Sequence, residues 1–306
     1  GRNRKGTQAL DALLAARPEI AVRRPVTPTE TERALAELST EGVNVLAVCG
    51  GDGTVQQVLN IVLEPHSPFP AIPLLAVLPG GTTNMIAHDL NEGRRPVAVL
   101  HRLLAHLDAG TLAARLVERP VMRLTGCDAA GVAYGFFFGA AGIYEATLEN
   151  RRTVDAIGLR DGFGPGLRLL AVIGKVIRGR DPFAPTAIRL SVDGQELGEM
   201  QCVAFFASTM RVLALGLVPF WGRGEGRIRL TYAMAGSRSI LRAIVLALRQ
   251  RPHPLLTPAN GYDSLNAQRI ELSFTGGGGL DGETFSGSEG RPMRLENAGA
   301  LGFLAG

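Results

Sequence analysis

Two glycine-rich turns, Gly50-Gly51-Asp52-Gly53-Thr54 and Pro79-Gly80-Gly81-Thr82-Thr83-Asn84, each follow a short apolar run. Glycines directly after a buried strand let the chain turn sharply and expose successive N–H groups. With the N-terminus of a following helix they make an anion site. Asp52 lies inside the first turn, where phosphate would repel it unless a cation lay between, so magnesium is implied. Thr54 either caps the next helix or gives its hydroxyl to phosphate. On adjacent parallel strands the two turns would sit side by side at the carboxyl edge of the sheet, where α/β folds bind ligands. Such a pair could hold a polyphosphate and a metal ion, which makes phosphoryl transfer the leading chemistry. The plain alternative is that each turn only redirects the chain. Neither is a Walker sequence or Gly-x-Gly-x-x-Gly, and no lysine occupies either loop.

A third candidate is Leu280-Asp281-Gly282-Glu283-Thr284, after the glycine run 276–279, which reads as very flexible. A carboxylate held there could accept a proton from a substrate hydroxyl. An Asp-Gly pair is equally an ordinary hairpin turn.

The elements that must carry these residues follow from periodicity. Residues 7–17 have leucines at helical spacing, 20–24 read as a short strand, and 29–38 as a second helix. The valine-rich run 43–49 reads as a strand buried on both faces. A helix is expected over 54–63, a buried strand over 72–78, a helix over 84–90 and an amphipathic helix over 96–107. Strand, turn and helix repeated in this way predict an α/β domain over residues 1–110. The basic opening Gly1–Gly6 reads as a loop after a strand that would precede residue 1. Beyond residue 110, strands are expected at 112–116, 119–124, 133–138, 186–192, 200–207, 227–232 and 269–273, with turn signals such as Asp193-Gly194. Residues 111–306 therefore read as a largely antiparallel β-sandwich domain, interrupted by helical stretches at 166–177 and 239–249. Whether Met293 to Leu304 return to the first domain is open on sequence.

Composition narrows the function classes. Of 306 residues, 46% are hydrophobic and 20% charged, which supports a substantial core and argues against general disorder. The net charge of +4 suits an anionic partner, nucleotide or acidic membrane. Sparse aromatics without an interleaved arginine stripe argue against a nucleic-acid groove. Cys49, Cys127 and Cys202 are far apart and form no Cys-x-x-Cys pair, which disfavours a disulfide scaffold or thiolate zinc site and fits a reducing cytoplasm. No His-x-x-x-His pair occurs. No apolar run reaches the roughly 20 residues needed to cross a bilayer.

At these residues the sequence resembles the diacylglycerol kinase catalytic family, which includes bacterial lipid kinases and the sphingosine and ceramide kinases. Gly50 to Thr54 is similar to its first nucleotide motif, Leu78 to Asn84 to its second, and Leu280 to Glu283 to its late catalytic motif. The resemblance implies an ATP-binding α/β domain, of the kind NAD kinases share, and a β-rich domain, with the active site between them. It further implies that Gly50, Gly51, Asp52, Gly53 and Thr54 hold phosphates and magnesium, and that Gly80, Gly81, Thr82 and Asn84 shape the other side of the nucleotide site. Thr27 matches a nucleotide-contacting threonine, and Arg2 the tail of a nucleotide-contacting loop. Asp281 is implied as general base and Glu283 as its metal or active-site partner. Three positions depart from the family pattern. Gln57 stands where a glutamate is usual. Glu225 replaces an aspartate and could still bind a cation. The stretch 139–145 has alanine at a small-residue position of a structural-metal motif.

The implied reaction moves the γ-phosphoryl group of ATP to a lipid hydroxyl, of diacylglycerol or sphingoid type. Residues 167–180 and 238–249 combine arginines with apolar side chains, which suits transient contact with an anionic membrane surface and a cytoplasmic, peripheral location. An ordinary packed helix is the alternative for both. A homodimer is left open. An NAD kinase-like enzyme and a catalytically impaired nucleotide- or lipid-binding regulator are the competing readings.

Overall fold

An apolar run becomes a strand only where a neighbour takes up its amides, and that condition decides much of this fold. The computed structural model describes residues 4–81, 83–90, 93, 95–127, 131–142, 144, 185–213, 216–247, 253–287 and 291–305. The chain divides into two units, Gly1–Arg119 with Ala300–Gly306, and Pro120–Gly299.

The first unit runs α1 (Arg4–Ala15), α2 (Pro28–Thr40), β1 (Val45–Gly50), α3 (Asp52–Leu63), β2 (Leu74–Pro79), α4 (Met85–Asp89) and α5 (Pro96–Asp108). β1 and β2 pair in parallel from Val45 opposite Leu74 to Gly50 opposite Pro79. The chain's last strand, Met293–Leu304, reaches β2 through Phe303 opposite Leu75. β2 is buried over Leu75 to Pro79. Its Ala76 and Leu78 pack with Val99, Leu100, Leu103 and Leu104 of α5, and with leucines of α1. By strand alternation Leu75 and Val77 face the other way.

Two expectations in this unit are corrected. The expected strand 20–24 does not form; among the described residues it has no ladder partner. β1 is not buried on both faces. Leu46 is buried but Ala47 and Cys49 are exposed, because β1 pairs only with β2 among the described residues.

The second unit is antiparallel. β3 (Leu116–Thr125) enters it and pairs with β4 (Val132–Gly135). Then come β5 (Phe137–Ala141), β6 (Thr186–Val192), β7 (Gln195–Ser208), β8 (Ile228–Met234), α6 (Ile240–Ala247), β9 (Tyr262–Ala267), β10 (Arg269–Phe274), β11 (Gly276–Leu280), β12 (Glu283–Gly287) and β13 (Met293–Leu304). β7 is the organising strand. Its first half pairs with β6, which pairs with β10. Its second half pairs with β5 and β8, and these lead to β11, β12 and β9. Side chains of both strand sets enter one buried cluster, from Ile188, Leu190 and Leu272 to Phe138, Leu230 and Phe285.

Residues 112–116 prove to be a 3-10 turn, Leu112–Arg115, rather than a strand. The expected strand 133–138 is broken at Phe136. The glycine run 276–279 is not a flexible linker but strand β11, paired on both sides. A Cβ on Gly278 would lie 2.8 Å from the Phe138 ring and one on Gly277 2.0 Å from the Tyr144 ring. Aromatic rings cover this strand where side chains would otherwise stand, so composition that reads as mobility is here a demand for close approach. The helical stretch 166–177 lies outside the described residues; 239–249 yields α6, whose Ala243 and Ala247 pack with Leu256 and Tyr262.

The loop before β8 shows the same tightness. A Cβ on Gly226 would sit 1.9 Å from the Ala267 carbonyl carbon, and main chain cannot retreat as a flexible side chain can. Gly226→Ala should therefore destabilise the protein by about 1–3 kcal/mol, read as a lower urea midpoint at unchanged slope. An unchanged midpoint would show that the loop is not held against β9.

Candidate nucleotide site and candidate acid

Register places the two glycine-rich turns in contact. Gly50 and Pro79 are paired ends of neighbouring strands, and the Gly80 N–H donates to the Gly50 carbonyl at 2.9 Å. A Cβ on Gly81 would fall 2.5 Å from the Gly51 Cα, and one on Gly80 3.1 Å from the Gly50 Cα. A Cβ on Gly50 would strike the Thr54 side chain at 2.5 Å. Turn-to-turn packing thus demands glycine at Gly81 and crowds Gly51 and Gly80, while Gly50 is confined by the Thr54 side chain of its own turn. Gly53 differs: nothing lies within 4 Å of where its Cβ would be, and its φ is not positive. It occupies the second helical position of α3, where no carbonyl of the helix can reach the amide.

α3 begins at Asp52, two residues earlier than periodicity suggested, and Gly51 is its cap without a side-chain bond. Thr54 therefore does not cap α3; the Thr54 and Val55 amides both donate to the Gly51 carbonyl. Asp52 turns away from its own helix. Its Oδ1 accepts the Ile86 N–H at 3.0 Å, at the start of α4. Burial pushes the Asp52 carboxyl above its ordinary value, and the Ile86 and Met85 amides partly oppose that shift.

The second turn is closed by Asn84. Its backbone is left-handed, φ 50°, the conformation asparagine tolerates best after glycine. Its Oδ1 accepts the Gly81 N–H at 2.8 Å and its Nδ2 donates to the Gly81 carbonyl at 2.8 Å. Asn84 thus shapes the loop from within. Thr82 and Arg2 lie outside the described residues. Thr27 caps α2 by accepting the Glu30 N–H, while Glu30 reaches back past the cap to accept the Val26 N–H, a variant of the capping box.

In the second unit Asp281 and Gly282 form the two-residue turn between β11 and β12, with φ 46° and 100°. Asp281 is 4% exposed. Its Oδ2 accepts the Phe136 N–H at 2.7 Å, its Oδ1 the Phe137 N–H at 2.9 Å, and its own N–H donates to the Phe137 carbonyl. The break at Phe136 is what aims two successive amides at one carboxylate. The Asp193-Gly194 turn behaves alike, since Asp193 Oδ1 accepts the Gln268 and Arg269 amides, but Asp193 is exposed. Burial, not the double amide contact, sets Asp281 apart.

Glu283 is exposed on β12 opposite Leu280, and Glu225 is exposed in the loop whose Gly224 carbonyl accepts from Asn266. Among the described residues no three His, Cys, Asp or Glu side chains gather as a metal site. Gln57 and the fully buried Gln56 bring amide groups to α3: neither amide atom of Gln56, nor Gln57 Nε2, has a hydrogen-bond partner. Sequence gave no sign of a buried ion pair, Asp89 with Arg119, 2.7 Å between Oδ2 and Nε.

Residues 1–113 match the family Diacylglycerol kinase catalytic domain. No curated protein matches the chain. Among solved structures it is similar to three from Bacillus anthracis str. Sterne, two described as a putative diacylglycerol kinase and one as a diacylglycerol kinase. The first is 18% identical with a TM-score of 0.66, covering 100% of this chain and 91% of that one. The second is 15% identical with a TM-score of 0.62, covering 100% and 92%. The third is 18% identical with a TM-score of 0.63, covering 100% and 93%. At these identities the structures speak for the fold, an α/β unit with a β-rich unit, and the family match for the first unit. Over residues 1–113 the chain is similar to the Diacylglycerol kinase catalytic domain family, and over its whole length it shares the fold of these structures.

Proposed function

We propose that the protein is an ATP- and magnesium-dependent lipid kinase. The observation that carries this is the contact of the two glycine turns at the ends of β1 and β2, with open space over Gly53 at the start of α3. That geometry fits a phosphate approaching the first amides of a twelve-residue helix. The family match supports phosphoryl transfer as the reaction class. Magnesium is commonly held by one or two carboxylates together with substrate phosphates and water, so a single acid, Asp52, is a sufficient protein contribution. When bound, the ion would offset charge on the transferring group.

The residues' parts then follow. Gly53 and its neighbours present amides to phosphate oxygens, Gly50, Gly51, Gly80 and Gly81 let the turns nest, and Asn84 fixes the second turn. Thr54, exposed at the third helical position, offers its hydroxyl. Asp281 takes up the proton of the acceptor hydroxyl as that oxygen attacks the γ-phosphorus and the bond to the departing diphosphate breaks. The Phe136 and Phe137 amides hold its carboxylate in one orientation. Arg2, Thr27 and Thr82 are proposed as further nucleotide contacts, and Glu283 and Glu225 as acidic partners. The acceptor is a lipid, of diacylglycerol or sphingoid type, met at an anionic membrane surface from the cytoplasm. No helix among the described residues is long and apolar enough to cross a membrane.

Labelled ATP offered with a panel of lipid hydroxyls and with NAD tests the assignment. Lipid label with no NADP is expected; label only on NAD, or ATP binding without transfer to any lipid, would overturn it. In that assay Asp281→Asn should lower turnover at least ~100-fold while the protein stays folded; near-normal turnover rejects the base assignment.

Gly53→Ala separates structure from function. Alanine is the better helix former and meets no neighbour here, so stability should rise by about 0.5–1 kcal/mol. The same methyl group would obstruct phosphate, so Mg·ATP affinity should drop. Unchanged affinity would remove Gly53 from the site.

Asp52 gives a pH signature. Its raised carboxyl takes up a proton above the ordinary 3.8, so magnesium-dependent ATP affinity should fall on acidification before that value is reached. Protonation of a group raised in the folded state adds stability rather than removing it, so this loss is not acid unfolding. Calorimetric titration across the acid range checks the point: Asp52→Asn should keep only the acid dependence that ATP's own terminal phosphate contributes, and a wild-type profile no steeper than the variant's rejects the role.

A further inference from the structure

α4 has five residues, too few to hold a helix by its own hydrogen bonds. Both of its ends are fixed by charged side chains from elsewhere. At the start, Asp52 accepts the Ile86 amide. At the end, Arg119 reaches Asp89 twice: Nε to the carboxylate Oδ2 at 2.7 Å and Nη2 to the Asp89 carbonyl at 3.1 Å. The third arm, Nη1, donates to the Glu118 carbonyl at 3.0 Å, which leaves the guanidinium little freedom to rotate. The signs suit the helix, acid at the amino end and base at the carboxyl end. Asp89 and Arg119 side chains are only 3% and 8% exposed.

A buried ion pair is poor value as a source of stability, since its desolvation can cancel its attraction. What a forked guanidinium supplies is direction. The directions fixed here continue into the second glycine turn. Asn84 immediately precedes α4, its carbonyl accepts the His88 amide, and its side chain closes on Gly81. Gly81 in turn lies against Gly51. Any shift of α4 would move Asn84 and part the two turns.

We propose that Arg119, acting through Asp89, is a positioning residue for nucleotide: it holds α4, and thereby the Gly81–Asn84 turn, in register with the first turn. The inference rests on the reading that these turns bind Mg·ATP. Arg119 touches no reacting group and is not a catalytic residue.

The test uses the full chain and Mg·ATP titration, with steady-state kinetics on whichever lipid accepts phosphate. Arg119→Met should weaken Mg·ATP binding about tenfold and raise the nucleotide KM, with acceptor KM within about twofold of wild type. Arg119→Lys, which keeps charge but loses the fork, should recover part of the affinity. Arg119→Met alone takes the guanidinium away from a buried acid, so the double variant Asp89→Leu with Arg119→Met guards against simple unfolding. It should melt near wild type and still bind Mg·ATP weakly. A folded double variant with wild-type nucleotide affinity overturns the proposal, as does a parallel rise in both KM values. Gly53→Ala serves as the control. If it weakens Mg·ATP binding and the Arg119 variants do not, only this inference fails; if it too leaves binding unchanged, the nucleotide reading fails first.

Discussion

The first unit depends on a backbone-to-backbone contact with no side chain in it. Gly50 and Gly51 lie against Gly80 and Gly81 at the ends of two parallel strands, and at Gly81 the approach is closer than a Cβ would allow. Everything proposed for nucleotide follows from that approach. It brings the amino end of α3 beside the second turn, lets Asp52 reach across to α4, and puts Asn84 where it can close the loop on Gly81. The contact has no strength of its own, since glycine offers almost no apolar surface. It persists because β1 and β2 are locked in register and because α5 and α1 bury one face of β2.

Much of this was legible in the chain. The positions of α2, α3, α5, β1, β2, β6 and β10 follow from hydrophobic period, and the adjacency of the two turns follows from reading their strands as neighbours. What the sequence hid has identifiable causes. A strand needs a partner, which no local pattern encodes; hence residues 20–24 join no ladder among the described residues, and β1 pairs there only with β2. Gly276 to Gly279 look like a linker because composition reports freedom, whereas Phe138 and Tyr144 turn the same residues into a paired strand. The Asp89–Arg119 pair is 30 residues apart in sequence, and nothing in either neighbourhood marks it as buried.

For the candidate site the division is similar. Residue types and spacing pointed to Asp52 and Asp281, but not to what holds them. Thr54 was open between cap and ligand until α3 was seen to start at Asp52. Asp281 could be taken for an ordinary hairpin residue, and in its dihedral angles it is one. Asp193 has the same turn and the same habit of accepting two amides. The distinction lies in burial and in the interruption at Phe136, both products of tertiary packing. Gln56 stands as the clearest departure from polar economy, an amide with 0% exposure and no partner for either atom.

β11 carries Asp281 on a strand made almost wholly of glycine. Such a strand is anchored by its ladders to β5 and β12, by the rings laid across it and by one side chain at its end, the fully buried Leu280. The acid's place is therefore written largely in main chain, with that leucine as its single side-chain anchor. Exposed side chains around the turn can change without retuning the carboxylate, whereas trimming the Phe138 or Tyr144 ring laid over β11 loosens the strand that leads to it.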